Sequence, residues 1–500
     1  MPDVMPHRQS NFKLSALALA GLVLAAISSG CAVGPTYDKP PTVDTPIAFK
    51  EGQGQWIRAV PADTLERGPW WQLFNDPQLN ALADRVEVSN QNVATAASAY
   101  AQARALVAVQ RASLLPVVSL NSGANRSGSG GATPERTSFQ VGLGASWEPD
   151  LFGRLARGTT SAEAAAQASQ ADLAAARLAM QGELAVNYFN LRQQDAQRAL
   201  QSQTIAGYQR TLQITNNRYT AGVVARTDVL QAETQLANAQ AEQLGLERTR
   251  ATLEHAIAVL VGVAPANFSL PAQFELAFFS PTTPLRPAAQ VPPPGVSFVA
   301  FVPDVPIEVP STLLQRRPDI ATAERRVAQA NEQIGIAQTA YYPSFTLSGS
   351  AGSNAARIGD LFSASSLVWG LGLSLGQTLF SGGARASQVD SAHAAFDKAV
   401  ATYRQTVLTA FKDVEDRLVA SRILAEQLAL RQQASRAADL VEQQVLNRYQ
   451  AGQVSYTEVI TAQATAASAR RSLVQLQADR QVAAVALIQS MGGGWRGQQQ

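Results

Sequence analysis

The sequence predicts a mainly α-helical protein with a small β part, built as two tandem copies of one unit. Three observations carry this reading: a turn motif repeated at a fixed spacing, long proline-free stretches of helix formers, and two pairs of short segments that alternate apolar with small or polar residues. The 500 residues are 46% hydrophobic and only 16% charged, which excludes a disordered chain. Forty basic against thirty-eight acidic residues leave a net charge of +2, no electrostatic footprint for nucleic acid. Three scattered histidines (His7, His255, His393) and one cysteine offer neither a zinc cluster nor a disulfide framework.

The chain opens with an export signal. Arg8 and Lys13 precede an apolar run, residues 14–27, followed by Ser28-Ser29-Gly30-Cys31. A basic segment, a short apolar core and small residues describe a secretory signal over 1–30, too short for a comfortable membrane helix. The position of Cys31 resembles a bacterial lipobox, in which the cysteine is acylated and becomes the mature N-terminus, although Ser28 stands where that pattern prefers an aliphatic residue. The alternative is an ordinary cleaved signal with an incidental cysteine, and both readings export the protein. Residues 31–65 then read as a Pro-rich spacer, because Pro35, Pro40, Pro41, Pro46 and Pro61 disfavour helix.

The body is written twice. Arg218-Tyr219-Thr220-Ala221-Gly222 recurs as Arg448-Tyr449-Gln450-Ala451-Gly452, an offset of 230, and Gly262 recurs as Gly492. Upstream the offset is 227, matching Asn92-Val93-Ala94-Thr95-Ala96 with Asp319-Ile320-Ala321-Thr322-Ala323 and Pro116 with Pro343, while Leu151-Phe152 matches Leu379-Phe380. The copies span 66–263 and 313–495, leaving 496–500 as a tail. Between them, 264–312 is a connector that Pro292-Pro293-Pro294 keeps from forming helix.

Each copy begins with a helical stretch, near 78–113 and then 318–340. Strands follow near 117–125 and 138–147 in the first copy, and near 344–352 and 366–376 in the second. Phe139, Val141, Leu143, Ala145 and Trp147 alternate with Gln140, Gly142, Gly144 and Ser146; Leu367, Trp369, Leu371, Leu373 and Leu375 do the same. This period of two fits a membrane barrel strand, and fits a soluble sandwich hairpin equally well. Four strands cannot close a membrane barrel, and an open edge in lipid leaves backbone groups unpaired. A dimer pooling its strands would have eight and a trimer twelve; the count does not choose between them.

The long helices come next, about 159–216 and 384–446, each followed by a turn and a partner helix. Leu173, Met180, Leu184 and Leu191 form one apolar stripe, and abundant alanine allows close packing on more than one face. A soluble coiled-coil scaffold would explain the helices, but not the export signal, the strands and the repeat together.

Trp70-Trp71-x-x-Phe74-x-Asp76-Pro77-x-Leu79-x-x-Leu82, Asp150-Leu151-Phe152-Gly153-Arg154, Leu313-Leu314-Gln315-Arg316-Arg317-Pro318-Asp319-Ile320 and Gly492-Gly493-Gly494-Trp495 occur in that order. Together with the repeated Arg-Tyr-x-Ala-Gly turn, they resemble the outer-membrane efflux factors of the TolC-like superfamily, in particular the NodT-type lipoproteins that serve resistance–nodulation–division pumps. The resemblance implies a homotrimer, lipid-anchored in the outer membrane of a Gram-negative bacterium. Its 12-stranded β-barrel would continue into a periplasmic α-helical barrel. It further implies a passive, gated duct that takes drugs or other small molecules from an inner-membrane pump through a periplasmic adaptor. Neither a cofactor nor catalysis is expected, since no nucleophile triad or phosphate loop is in evidence. A protein-secretion duct of the same architecture is the second reading.

The same resemblance assigns residues. Arg218, Ala221 and Gly222, with Arg448, Ala451 and Gly452, would form the tips that dock the adaptor. Tyr219, Asp228, Tyr449 and Glu458 would form the periplasmic gate. Acidic residues often found three positions after Asp228 and Glu458 are replaced by Gln231 and Thr461, and Val454 stands where some relatives carry arginine. Two plainer readings run beside these. An acidic residue in the first turn of a helix suits its dipole, and the tyrosines and the cluster of Trp70, Trp71 and Phe74 suit core packing.

Overall fold

The computed structural model describes residues 33–39, 43–52, 69–128, 136–272, 301–303 and 316–493. The signal, Cys31, part of the spacer, most of the connector, Leu313-Leu314-Gln315, Trp495 and the tail lie outside the described residues.

A 3-10 turn, Trp70–Phe74, leads into α1 (Pro77–Ser89) and α2 (Gln91–Ala112). Strands β1 (Val117–Ser127) and β2 (Arg136–Trp147) follow, then α3 (Arg154–Thr220) and α4 (Arg226–Leu260). The second copy supplies α5 (Pro318–Thr339), β3 (Ser344–Ala355), β4 (Leu367–Gly376), α6 (Ala384–Gln450) and α7 (Tyr456–Ser490). The repeat holds to the residue in its helices: α2 and α5 have 22 residues each, α3 and α6 have 67, α4 and α7 have 35. At about 1.5 Å per residue, α3 and α6 are each about 100 Å long.

One expectation is corrected. The helical stretch near 78–113 is two helices, because Asn90 breaks it and caps the second. Its side-chain oxygen accepts from the N–H groups of Asn92 (2.9 Å) and Val93 (3.1 Å), and its amide donates to the Leu260 carbonyl at 2.8 Å.

The chain divides into two compact units. One holds the sheet with residues Ala99–Gln170 and Thr322–Gln405. Its four strands form an antiparallel meander in the order β1-β2-β3-β4, so β1 and β4 are the two edges. The described start of the Pro-rich segment is seated in this unit. Arg157 donates to the carbonyls of Val33 (2.6 Å) and Pro35 (3.1 Å) while paired with Glu332 at 2.7 Å, and the Tyr37 hydroxyl donates to Glu324 at 2.5 Å. Burial and that carboxylate push the Tyr37 pKa up.

The other unit is helical. Trp70, Trp71 and Phe74 are buried with Leu79, Leu184, Tyr188, Phe189, Ile257 and Ile488, so these aromatics are core. Asp76 caps α1 by accepting from the N–H groups of Gln78 (2.9 Å) and Leu79 (3.1 Å), and its other oxygen accepts from the Tyr188 hydroxyl at 2.6 Å. A buried ionic cluster holds the chain leaving α4. Asp195 pairs with Arg192 (2.9 Å) and Arg250 (2.6 Å), which donate in turn to the carbonyls of Pro271 (2.9 Å) and Leu270 (2.6 Å).

Candidate functional site

The sheet has two chemically opposite faces. Residues directly opposite one another on antiparallel strands share a face. Leu120 faces Leu143, Leu143 faces Ala351, and Ala351 faces Trp369, so one row of apolar side chains crosses all four strands. A parallel row runs through Trp147, Leu347 and Leu373. The opposite face carries Ser119, Gly144, Ser350 and Gly370 in one row. The apolar face is uncovered: Trp369 is 75% exposed and Leu371 is 79% exposed. A sandwich would bury this face against a second sheet, whereas here it projects into solvent with strands of 10 to 12 residues, near the roughly 9–11 that cross a bilayer. Among the described residues no helix is long and apolar enough to cross a membrane.

The second candidate region is the pair of helical turns. Both end in a Schellman motif. Gly222 (φ 71°) donates to the Tyr219 carbonyl at 2.8 Å and Val223 to Arg218 at 2.9 Å; Gly452 (φ 76°) and Gln453 repeat the pattern onto Tyr449 and Arg448 at 3.0 and 2.9 Å. The glycines therefore close the turn backbone, since a positive φ suits a residue without Cβ. Ala221, Gly222, Arg448, Ala451 and Gly452 are exposed.

The four gate candidates are not equivalent between copies. Tyr449 is 1% exposed, packed with Tyr456, Val459 and Ala232, and its hydroxyl lies 3.2 Å from Thr215 Oγ1. Arg218 sits over its ring at 4.4 Å and donates to its carbonyl at 2.5 Å. Tyr219, its counterpart, is 41% exposed. Arg218 thus links the two turns within the chain and is not a bare tip residue.

Asp228 and Glu458 both stand in the first turn of their helices. Glu458 accepts from the Ser455 N–H at 3.3 Å and from its hydroxyl at 3.4 Å, so it helps cap α7. In the first copy Ala225 takes the place of Ser455 and provides no hydroxyl. Burial first, then Tyr449, Tyr208 and lastly the Asp228 charge, push the Tyr456 pKa up. Tyr456, Thr215 and the Gln463 amide donating to Thr211 at 3.2 Å are participants that the motif did not reveal. The available signal was divergence between copies, since Tyr456 matches Arg226 and Thr215 matches Val445. No cluster of His, Cys, Asp and Glu that could hold a metal ion is present among the described residues.

A sheet with one bare apolar face and two open edges, in one chain with paired long helices, is the geometry of an outer-membrane channel protein. Residues 82–263 and 309–493 match the family described as outer membrane efflux protein, and the chain belongs to it. It is 29% identical to the probable efflux pump outer membrane protein TtgC of Pseudomonas putida, over 96% of each chain. It is 30% identical to the pyoverdine export outer membrane protein OpmQ of Pseudomonas aeruginosa, over 95% of this chain and 98% of that one. The open-state structure of the Neisseria gonorrhoeae MtrE outer membrane channel superposes with a TM-score of 0.78 at 28% identity, covering 93% of this chain and 98% of that chain.

Proposed function

We propose that three copies of this chain form an outer-membrane duct for small molecules, fed by a periplasmic adaptor and an inner-membrane pump of the resistance–nodulation–division type. The observation that carries the reading is the continuous apolar face across four strands whose outer edges are unpaired. In lipid such edges must find partners, and three copies of four strands supply twelve. Relatives named for an efflux pump and for pyoverdine export fit a duct with little recognition chemistry of its own. Cys31 anchors the chain by its lipid, and Val33 is seated on the folded body only two residues later. The turns dock the adaptor through Ala221, Gly222, Arg448, Ala451 and Gly452. Close to them, Asp228 and Glu458 place rings of negative charge around the throat, which favour cations and hold divalent ions.

Single-channel recording in a planar bilayer tests this reading. Asp228→Asn with Glu458→Gln removes charge and retains an acceptor for the α7 cap. We expect discrete long-lived steps, with the double variant open more often and at least several-fold less sensitive to divalent block. Silence from both proteins overturns the duct; conductance with unchanged block overturns the gate alone.

A further inference from the structure

The two hairpins of the sheet turn at the same end, opposite the end at which α2, α3, α5 and α6 join it, yet their loops differ in kind. Residues 126–136, between β1 and β2, are glycine, serine, alanine, threonine, proline and charged residues, without one bulky apolar side chain. Residues 357–366, between β3 and β4, carry Ile358, Leu361 and Phe362.

This second loop is built on two 3-10 turns, Ile358–Asp360 and Ala364–Ser366. The N–H groups of Asp360, Leu361, Ser363 and Ser366 donate to the carbonyls of Arg357, Ile358, Asp360 and Ser363 in turn, at 3.1, 3.3, 3.1 and 3.1 Å. Ser363 Oγ donates to the Asp360 carbonyl at 2.8 Å, and Ser366 Oγ to that of Ser363 at 2.7 Å. The contact that fixes its direction comes from the sheet. Ser353 Oγ donates to the Leu361 carbonyl and lies 2.6 Å from Ser366 Oγ. Ser353 stands opposite Leu367 and two residues beyond Ala351, so its side chain belongs to the apolar face. The loop is therefore tied to the apolar side of the sheet, not to the side of Ser350 and Gly370. Its hydroxyls turn inward and its apolar residues outward: Ser366 is 6% exposed, Ile358 70% and Phe362 87%.

We propose that Ile358 and Phe362 enter the outer leaflet of the bilayer that the sheet spans, beside the strands, and fix the depth at which the sheet sits. This rests on the duct reading, which puts the apolar face in lipid and the hairpin loops outside, and it adds a lipid contact beyond the strands themselves. Two observations select lipid as the occupant. The tips continue the apolar face, since Leu367 and Trp369, the first residues of β4 on that face, are 66% and 75% exposed. The loop also bonds its own backbone groups, as a segment entering lipid must. Arg357 and Asp360 are exposed on either side of Ile358, and their charges hold the entry to the headgroup boundary.

Spin labels on cysteine test the proposal, because oxygen concentrates among acyl chains whereas a nickel chelate stays in water. Phe362→Cys and Ile358→Cys are labelled in the full-length protein, reconstituted in phosphatidylcholine vesicles. Leu371→Cys on the apolar face supplies the lipid standard, Gln453→Cys at the exposed helical turn the aqueous one, and the unsubstituted protein the background of Cys31. The ratio of oxygen to nickel collisions should be several-fold higher at positions 358 and 362 than at 453, as it is expected to be at 371. If 371 reads as lipid and either tip matches 453, the proposal falls and the duct reading stands. Tips shielded from both reagents would mean that protein covers them, which also overturns lipid as the occupant. If 371 itself matches 453, the sheet lies outside the bilayer and both readings fail together.

Discussion

Arg218 and Arg448 occupy the same place in two copies of one turn, yet Arg218 lies over a tyrosine ring, that of Tyr449, while Arg448 and Tyr219 are exposed. That contact combines a cation–π interaction with a charge-assisted hydrogen bond, together about 2–3 kcal/mol. The hydroxyl contact of Tyr449 with Thr215 adds about 1 kcal/mol. If these bonds keep the turns together, Arg218→Ala should leak more than Tyr449→Phe. Sensitivity of intact cells to vancomycin, which is too large for ordinary porins, measures the leak, and an Arg218→Ala strain as resistant as wild type would remove the contact from the gate. The repeated motif made both turns legible in the sequence. It could not show which arginine meets which tyrosine, because that depends on residues more than 200 positions apart. Nor could it show that Ser455 engages Glu458 whereas Ala225 provides Asp228 with no such partner. Local spacing reports what a turn is made of; partner choice is set by the neighbouring hairpin.

At the scale of elements, the strands and long helices were legible because their physics is local. Alternation sets a strand face, and the absence of proline lets α3 and α6 run for 67 residues. The break at Asn90 was less visible, since its cap is completed by a distant carbonyl, that of Leu260. The seat of residues 33–37 was hidden for the same reason: an extended segment has no period, and Arg157, Glu324 and Asn331 hold it from far along the chain. Gly262 and Gly492 show how a matched pair of single residues joins elements. Gly262 has φ 70°, and a Cβ there would stand 2.3 Å from the Ser89 carbonyl oxygen; at Gly492, with φ 94°, it would stand 2.7 Å from that of Arg316. Alanine at either site adds backbone strain to a clash with main chain that has little room to retreat. We expect each substitution to cost about 2–4 kcal/mol and to lower the apparent melting temperature of the detergent-solubilised protein, followed by far-ultraviolet circular dichroism. An unchanged transition in both variants would mean that the α1–α2 junction and the start of α5 move freely away from these turns.

For the whole molecule, the question is which solvent each face of the sheet meets. One strand carries the test. Leu371 and Ser374 lie three residues apart on β4, on opposite faces, and both are exposed. In water, arginine at either position would cost almost nothing, because an exposed charge is well solvated. In a membrane barrel the two substitutions separate sharply. Arginine at position 371 would face acyl chains near mid-strand, at about 2–4 kcal/mol per chain. Arginine at position 374 would face the aqueous lumen beside Thr346, where it adds positive charge to the pore without entering lipid. Leu371→Arg should therefore deplete the protein from the outer-membrane fraction. Ser374→Arg should reach wild-type levels there and shift the reversal potential toward anion preference under a salt gradient. Equal recovery of both variants with unchanged selectivity would place the sheet outside the bilayer, whatever the helices do. The sequence could pose this question through its alternation. It could not answer it, since a sandwich strand and a barrel strand carry the same period and differ only in what lies against the apolar side. The structure leaves that side of all four strands bare along a single continuous face, which is the arrangement that a lipid bilayer accommodates and bulk water does not.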